Sequence, residues 1–287
     1  MAKCFNVTAD CKPNLHYMVK LDERLGKMKE LVDSGAYITV NRSRQYGKTT
    51  TLRALSKYLQ KDYYVVMMDF QTFGSADFET EYSFSVSFAK TFLRLLGKMN
   101  VNLNAELREA SDIFVQKIKE RNWDCTLRSL FEELSQLMEQ ADRSLVLIID
   151  EVDSASNNQV FLDFLAQLRA YYINRDFQET FQSVILAGVH DVKNLRRKLR
   201  PEDEHKMNSP WNIATDFKVE MSFSIDEIGD MLKSYVVDSH TGMDVELIAK
   251  LLYEYTSGYP YLVSKLCKLM DEDVFQKEKI GAKNETW

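Results

Sequence analysis

The sequence predicts a three-layer α/β/α fold, with a parallel sheet of about five strands followed by a C-terminal helical lid. Two observations carry that expectation. Short apolar, β-branched runs alternate with helical periodicity through most of the chain, and beyond Ser224 the pattern becomes purely helical. A third observation places chemistry on this frame. Gly47-Lys48-Thr49 follows one apolar run, and Asp150-Glu151 closes another about a hundred residues later.

Taken in order, residues 21–34 carry Leu21, Leu25, Met28, Leu31 and Val32 at helical spacing and stop at Gly35. Tyr37-Ile38-Thr39-Val40 then reads as a buried strand, residues 49–60 as a helix (Leu52, Leu55, Leu59), and residues 63–70 as a second buried strand. Helices are expected over roughly 83–99, 105–120 and 126–140, the last with Leu127, Leu130, Phe131, Leu134, Leu137 and Met138 on one face. Residues 144–149 form a continuous apolar strand ending in acid, 160–173 a helix, and 183–188 a fourth strand ending in glycine. A fifth strand is expected around 213–219, after a loop containing Pro201 and Ser209-Pro210. Helices over 225–237, 245–255 and 261–275 follow, punctuated by Thr241-Gly242 and Ser257-Gly258-Tyr259-Pro260. The expected division is a core over 1–222 with an N-terminal helical segment, a helical lid over 223–276, and a charged, aperiodic tail over 277–287. That tail reads as a linker, so the chain is expected to be part of a longer polypeptide.

Composition excludes several classes. With 287 residues and 45% hydrophobic content the chain can bury a real core and is not disordered by default. A net charge of −6 and a pI near 5.4 argue against a surface that embraces nucleic acid throughout, so any such role must be local. Cys4, Cys11, Cys125 and Cys267 form no Cys-x-x-Cys pair and read as reduced thiols. The amino end has no apolar signal region, and no run approaches the roughly 18 uncharged apolar residues a membrane span needs. No membrane contact and a cytoplasmic location are expected.

Arg42-Ser43-Arg44-Gln45-Tyr46-Gly47-Lys48-Thr49 keeps the phosphate-binding core of G-x-x-x-x-G-K-[ST] but has Arg42 where the opening glycine stands. With a strand before it, a helix after it and the acidic strand end downstream, it reads as a P-loop nucleoside triphosphatase (NTPase). Gly47 leaves room where phosphate oxygens approach too closely for a Cβ. Lys48 would bridge the β and γ phosphates, Thr49 would give its hydroxyl to Mg²⁺, and Thr50 would lie near the α phosphate. Losing a glycine at position 42 removes easy access to positive φ at the start of the loop, whereas Arg42 and Arg44 add cations beside the phosphates. A variant loop is expected rather than a broken one.

A carboxylate at the end of an apolar strand needs a partner, and Mg²⁺ held through water beside Thr49 supplies one for Asp150. Glu151 is then the candidate general base, which favours hydrolysis over transfer to a hydroxyl acceptor. The bland alternative is that Glu151 and Asp153 merely cap the next helix. His190, after the fourth strand, is the candidate sensor of the γ phosphate, with a capping or solvated role equally open. Asp69 ends the second strand either as an outer metal partner or as a loop anchor. Lys193–Arg200, including Arg196 and Arg197, could supply an arginine finger to a neighbouring subunit in an oligomer or contact nucleic-acid phosphates; the solvated basic face is the simpler reading. Tyr17 and Met18 are candidates for adenine contact by analogy with related ATPases.

On these residues the chain resembles the AAA-ATPase-like family, relatives of the archaeal ATPase and STAND groups, whose loop reads Arg-x-Arg-(Arg/Gln)-(Phe/Tyr)-Gly-Lys-(Ser/Thr). The likeness extends to Ile149-Asp150-Glu151, Ala187-Gly188-Val189, residues 209–214 and Tyr255-Thr256-Ser257-Gly258-Tyr259-Pro260, covering roughly residues 15–275. It implies that Arg42 is a family trait and that Lys48, Thr49, Asp150 and Glu151 are the functional positions of a Mg²⁺-ATP hydrolase. Many members are similar to two-part proteins with a nuclease-like domain after the lid. The expectation is therefore an ATPase whose hydrolysis drives a conformational switch read by an unknown protein partner. The alternatives are a non-hydrolysing nucleotide-binding module and a nucleic-acid-associated ATPase.

Overall fold

A computed structural model describes residues 3–8, 10–99, 103–189, 211–217 and 220–275. The chain divides into two compact units, each discontinuous in sequence: one comprises Lys27–Ser43 and Leu55–Phe217, the other Met1–Gly26, Arg44–Ala54 and Lys218–Trp287. Helices α1 (Asp22–Asp33) and α2 (Lys48–Leu59) each contribute to both.

The larger unit is built on a five-stranded, fully parallel sheet. Its strands are β1 (Ile38–Asn41), β2 (Tyr64–Asp69), β3 (Leu145–Asp150), β4 (Ser183–Gly188) and β5 (Thr215–Asp216), in the order β2-β3-β4-β1-β5. Helices α3 (Glu81–Gly97), α4 (Ala105–Lys119), α5 (Leu127–Glu139) and α6 (Gln159–Ile173) complete the unit. Strands turn alternate residues to opposite faces. Tyr64, Val66 and Met68 of β2, Leu147 and Ile149 of β3, and Val184 and Leu186 of β4 therefore enter one core with Phe84, Phe88 and Phe92 of α3, Phe131 of α5 and Phe161 and Phe164 of α6. The intervening Val65, Val146, Ile148 and Ile185 are buried as well. A sheet buried on both faces explains why its strands read as continuous apolar runs. Helices α3 and α5 begin with reciprocal caps, Thr80 with Ser83 and Thr126 with Ser129.

Of the described residues in the expected fifth strand, Thr215 and Asp216 pair with β1, both exposed at the sheet edge, where Asp216 accepts a 2.8 Å hydrogen bond from the buried Thr39 hydroxyl.

In the second unit, α7 (Ile225–Ser239), α8 (Val245–Thr256) and α9 (Pro260–Met270) follow one another closely. Ser224 and Glu227 form a reciprocal capping box at α7, and Asp244 caps α8 through the Leu247 N–H at 3.0 Å. Between α8 and α9, Ser257 and Gly258 are both left-handed, and a Cβ on Gly258 would stand 2.0 Å from the Phe223 carbonyl oxygen. Pro260 opens α9 at the position where its missing N–H costs nothing. Helix α9 ends at Met270 and runs into a π-type turn, Asp271–Phe275, rather than continuing as one helix. Phe5, Tyr17 and Tyr235 form an aromatic cluster, fixed by the Tyr17 hydroxyl on Asp238 and the Tyr235 hydroxyl on Asp271. Tyr17 is thus a buried core residue of this unit.

Candidate functional site

In a parallel sheet the carboxyl ends of the strands share one edge, and ligands bind there. In the larger unit that edge carries Asn41, Asp69, Asp150 and Gly188. Asn41 lies opposite Gly188 and Asp69 opposite Asp150 in register. Strand pairing continues one residue past β1, because the Arg42 N–H donates to the Gly188 carbonyl at 3.2 Å. The Arg42 guanidinium folds back to donate to the Asn41 carbonyl at 2.9 Å. The arginine that replaces the opening glycine therefore needs no left-handed backbone. The loop's positive φ angles fall instead at Gln45 (65°) and Gly47 (75°).

Asp150 is 2% exposed, and its carboxylate accepts the N–H of Glu151 at 3.0 Å. Glu151 itself adopts φ 56°, ψ 41°, a left-handed conformation that is sparsely populated for any residue with a Cβ. It starts a 3₁₀ turn, Val152–Ser154, to which its side chain gives no capping bond. The Asp153 carboxylate accepts the N–H of Val189 at 2.5 Å. Asp69 is exposed and accepts the Gln71 N–H at 2.9 Å, capping a 3₁₀ turn, the loop-anchor role of the two open to it.

In the second unit, residues 44–50 form the rest of the loop that follows β1 and the first turn of α2. Gly47 is left-handed, and a Cβ placed on it would meet no atom within 4 Å, so the loop leaves a gap there. Lys48 opens α2 but is only 6% exposed, unlike a solvated surface lysine. The first turn of α2 carries no acidic residue. A gap beside a left-handed glycine, an enclosed ammonium and a helix amino end without carboxylates fit a bound phosphate chain. Among the described residues, no group of three or more His, Cys, Asp or Glu side chains is placed to hold a metal ion by itself. Thr50 accepts the Cys11 N–H at 3.1 Å, and Arg53 pairs with Asp10 at 2.6 Å, so the N-terminal segment lies on this helix. Burial pushes the Cys11 thiol up, keeping it protonated.

A lid tyrosine also reaches this loop. Tyr259 donates its hydroxyl to the Arg44 carbonyl at 2.8 Å and packs its ring against Tyr46 at 4.7 Å between centroids. Burial raises the Tyr259 hydroxyl above its ordinary pKa, so it stays a donor through the neutral range.

The model of the AAA-like domain family matches residues 14–285, nearly the whole chain. The chain belongs to the AAA-like domain family. Membership implies nucleotide binding, in keeping with the loop just described. Among solved structures, a Walker-type ATPase of Pyrococcus abyssi is similar, with a TM-score of 0.62 at 17% identity over 94% of this chain and 71% of that one. The ORC2 protein of Aeropyrum pernix, solved as ADPNP–ADP complexes, gives a TM-score of 0.50 at 13% identity over 95% of this chain and 65% of that one. At these identities the likeness shows a shared fold. No curated protein matches the sequence.

His190 and the basic run Lys193–Arg200 lie outside the described residues, as do Ser209-Pro210, Val219 and the tail 277–287. Sequence reasoning about this AAA-like chain missed the left-handed Gln45, the Asp153–Val189 bond and the Tyr259–Arg44 bond. The aromatic-Pro pair after Ser257-Gly258 marks a turn, but nothing in it names a partner 215 residues away.

Proposed function

We propose that this AAA-like chain binds Mg²⁺-ATP and hydrolyses it, and that its helical lid reads the nucleotide's state. The observation that carries hydrolysis is Glu151, left-handed and directly after the buried Asp150 at the carboxyl edge of the sheet. Strain of this kind collects at functional positions.

In this reading the backbone of Arg42, Ser43, Arg44, Gln45, Tyr46 and Gly47 cradles the phosphates. Lys48 places its ammonium on the β and γ oxygens, and Thr50 lies beside the α phosphate. Thr49 and Asp150 would hold Mg²⁺, which when bound neutralises charge on the phosphates. Glu151 accepts the proton of the attacking water at a carboxylate oxygen, and His190 is the sequence's candidate for sensing the γ phosphate. The Tyr259 bond to Arg44 supports the lid's role, since it links a lid turn to the main chain of the phosphate loop.

Binding and chemistry separate in the variants. Lys48→Ala is expected to weaken ATP affinity by tenfold or more, roughly 1.4 kcal/mol, whereas Glu151→Gln should bind ATP as the wild type does. Equilibrium titration with a fluorescent ATP analogue, with and without Mg²⁺, reads both. Wild-type affinity in Lys48→Ala would contradict the assignment of the loop.

A further inference from the structure

Asp153 has no part in the phosphate, metal or base assignments, yet its carboxylate is built into the end of a neighbouring strand. Its Oδ2 accepts the Val189 N–H at 2.5 Å. A Cβ on Gly188 would stand 2.7 Å from that same oxygen and 3.0 Å from Cγ2 of Val152. The carboxylate can therefore reach the main chain because residue 188 has no side chain.

The turn that Asp153 anchors begins at Glu151. A left-handed glutamate persists only where its surroundings over-determine it. Three of the restraints are local: the Glu151 N–H donates to Asp150 at 3.0 Å, and the Glu151 carbonyl accepts the Ser154 hydroxyl at 2.8 Å and the Ser154 N–H at 3.2 Å. These fix the turn within itself. The Asp153–Val189 bond ties that turn to β4, the strand between β3 and β1. Its acceptor is a carboxylate oxygen, and charge-assisted bonds of this type are short and about twice as strong as neutral ones.

We propose that Asp153 is a positioning residue for hydrolysis: its carboxylate clamps the Glu151 turn to the end of β4 and so fixes where the Glu151 side chain stands against the strand ends. The proposal rests on Glu151 being the base. A displacement of about 1 Å at a catalytic group costs on the order of a hundredfold in rate. Nucleotide binding does not depend on that placement.

The experiment compares kcat and ATP affinity in wild type, Glu151→Gln, Asp153→Ala and Asp153→Asn. Asp153→Ala should lower kcat by roughly ten- to a hundredfold with ATP affinity unchanged. Asp153→Asn, whose amide oxygen still accepts the Val189 N–H, should recover much of the loss. Unchanged kcat in Asp153→Ala overturns the proposal, as does a loss of affinity matching the loss of kcat, or an Asn variant no better than Ala. Should Asp153→Ala not fold, Asp153→Glu, which keeps the charge but displaces the acceptor, is read by the same split, and wild-type kcat there overturns it. Turnover absent in wild type, or insensitive to Glu151→Gln, overturns the reading of Glu151 and this proposal with it. Turnover lost in Glu151→Gln but kept in Asp153→Ala overturns this proposal alone.

Discussion

A left-handed backbone costs a residue with a Cβ about 1–2 kcal/mol relative to glycine, and this chain accepts that cost at Gln45 and Glu151. At Glu151 the side chain must justify the conformation. Glu151→Gly should therefore raise the midpoint of thermal unfolding slightly, by up to about 1 kcal/mol of stability, while abolishing turnover. A melting curve beside an ATPase assay checks both, and lower stability in the glycine variant would show that the side chain holds the turn. Lys48 makes the opposite case, since its contribution should lie in binding rather than folding.

At the scale of elements, the turn between α8 and α9 brings Gly258 close against the Phe223 carbonyl. Gly258→Ala would drive a Cβ into the Phe223 carbonyl at a left-handed position, whereas Gly242→Ala meets nothing within 4 Å. The first should destabilise the lid helices by roughly 2–4 kcal/mol and the second should be nearly neutral, as read by hydrogen exchange across α7–α9. Equal protection in both variants would refute the steric account. Tyr259→Phe keeps the ring on Tyr46 but deletes the bond to Arg44, a loss worth about 1 kcal/mol. ATP affinity should fall by a corresponding few-fold in a direct titration. The strands and most helices were legible because burial on both sheet faces leaves apolar runs and caps leave Ser, Thr and Asp at element ends. Helix α9 and β5 were less so: α9 changes to π-type winding without a breaker in its sequence, and edge pairing at 215–216 depends on β1 rather than on local propensity. Among the candidate functional residues, Gly47, Lys48 and Asp150 declare themselves by type and spacing. Gln45, Asp153 and Tyr259 do not, because their roles lie in backbone angles and bonds between residues distant in sequence.

For the whole molecule, a ligand that binds only the folded chain stabilises it by about 2.7 kcal/mol at a hundred times its dissociation constant. Mg²⁺-ATP should therefore raise the melting midpoint by several degrees in wild type and in Glu151→Gln, and by about half as much or less in Lys48→Ala. Among the described residues no helix is long and apolar enough to cross a membrane. Steady-state ATP hydrolysis at saturating Mg²⁺, measured on folded wild type beside Lys48→Ala and Glu151→Gln, tests the central claim most directly. Turnover in wild type that both substitutions abolish is the predicted result. No turnover in wild type, or turnover that survives Glu151→Gln, would contradict it.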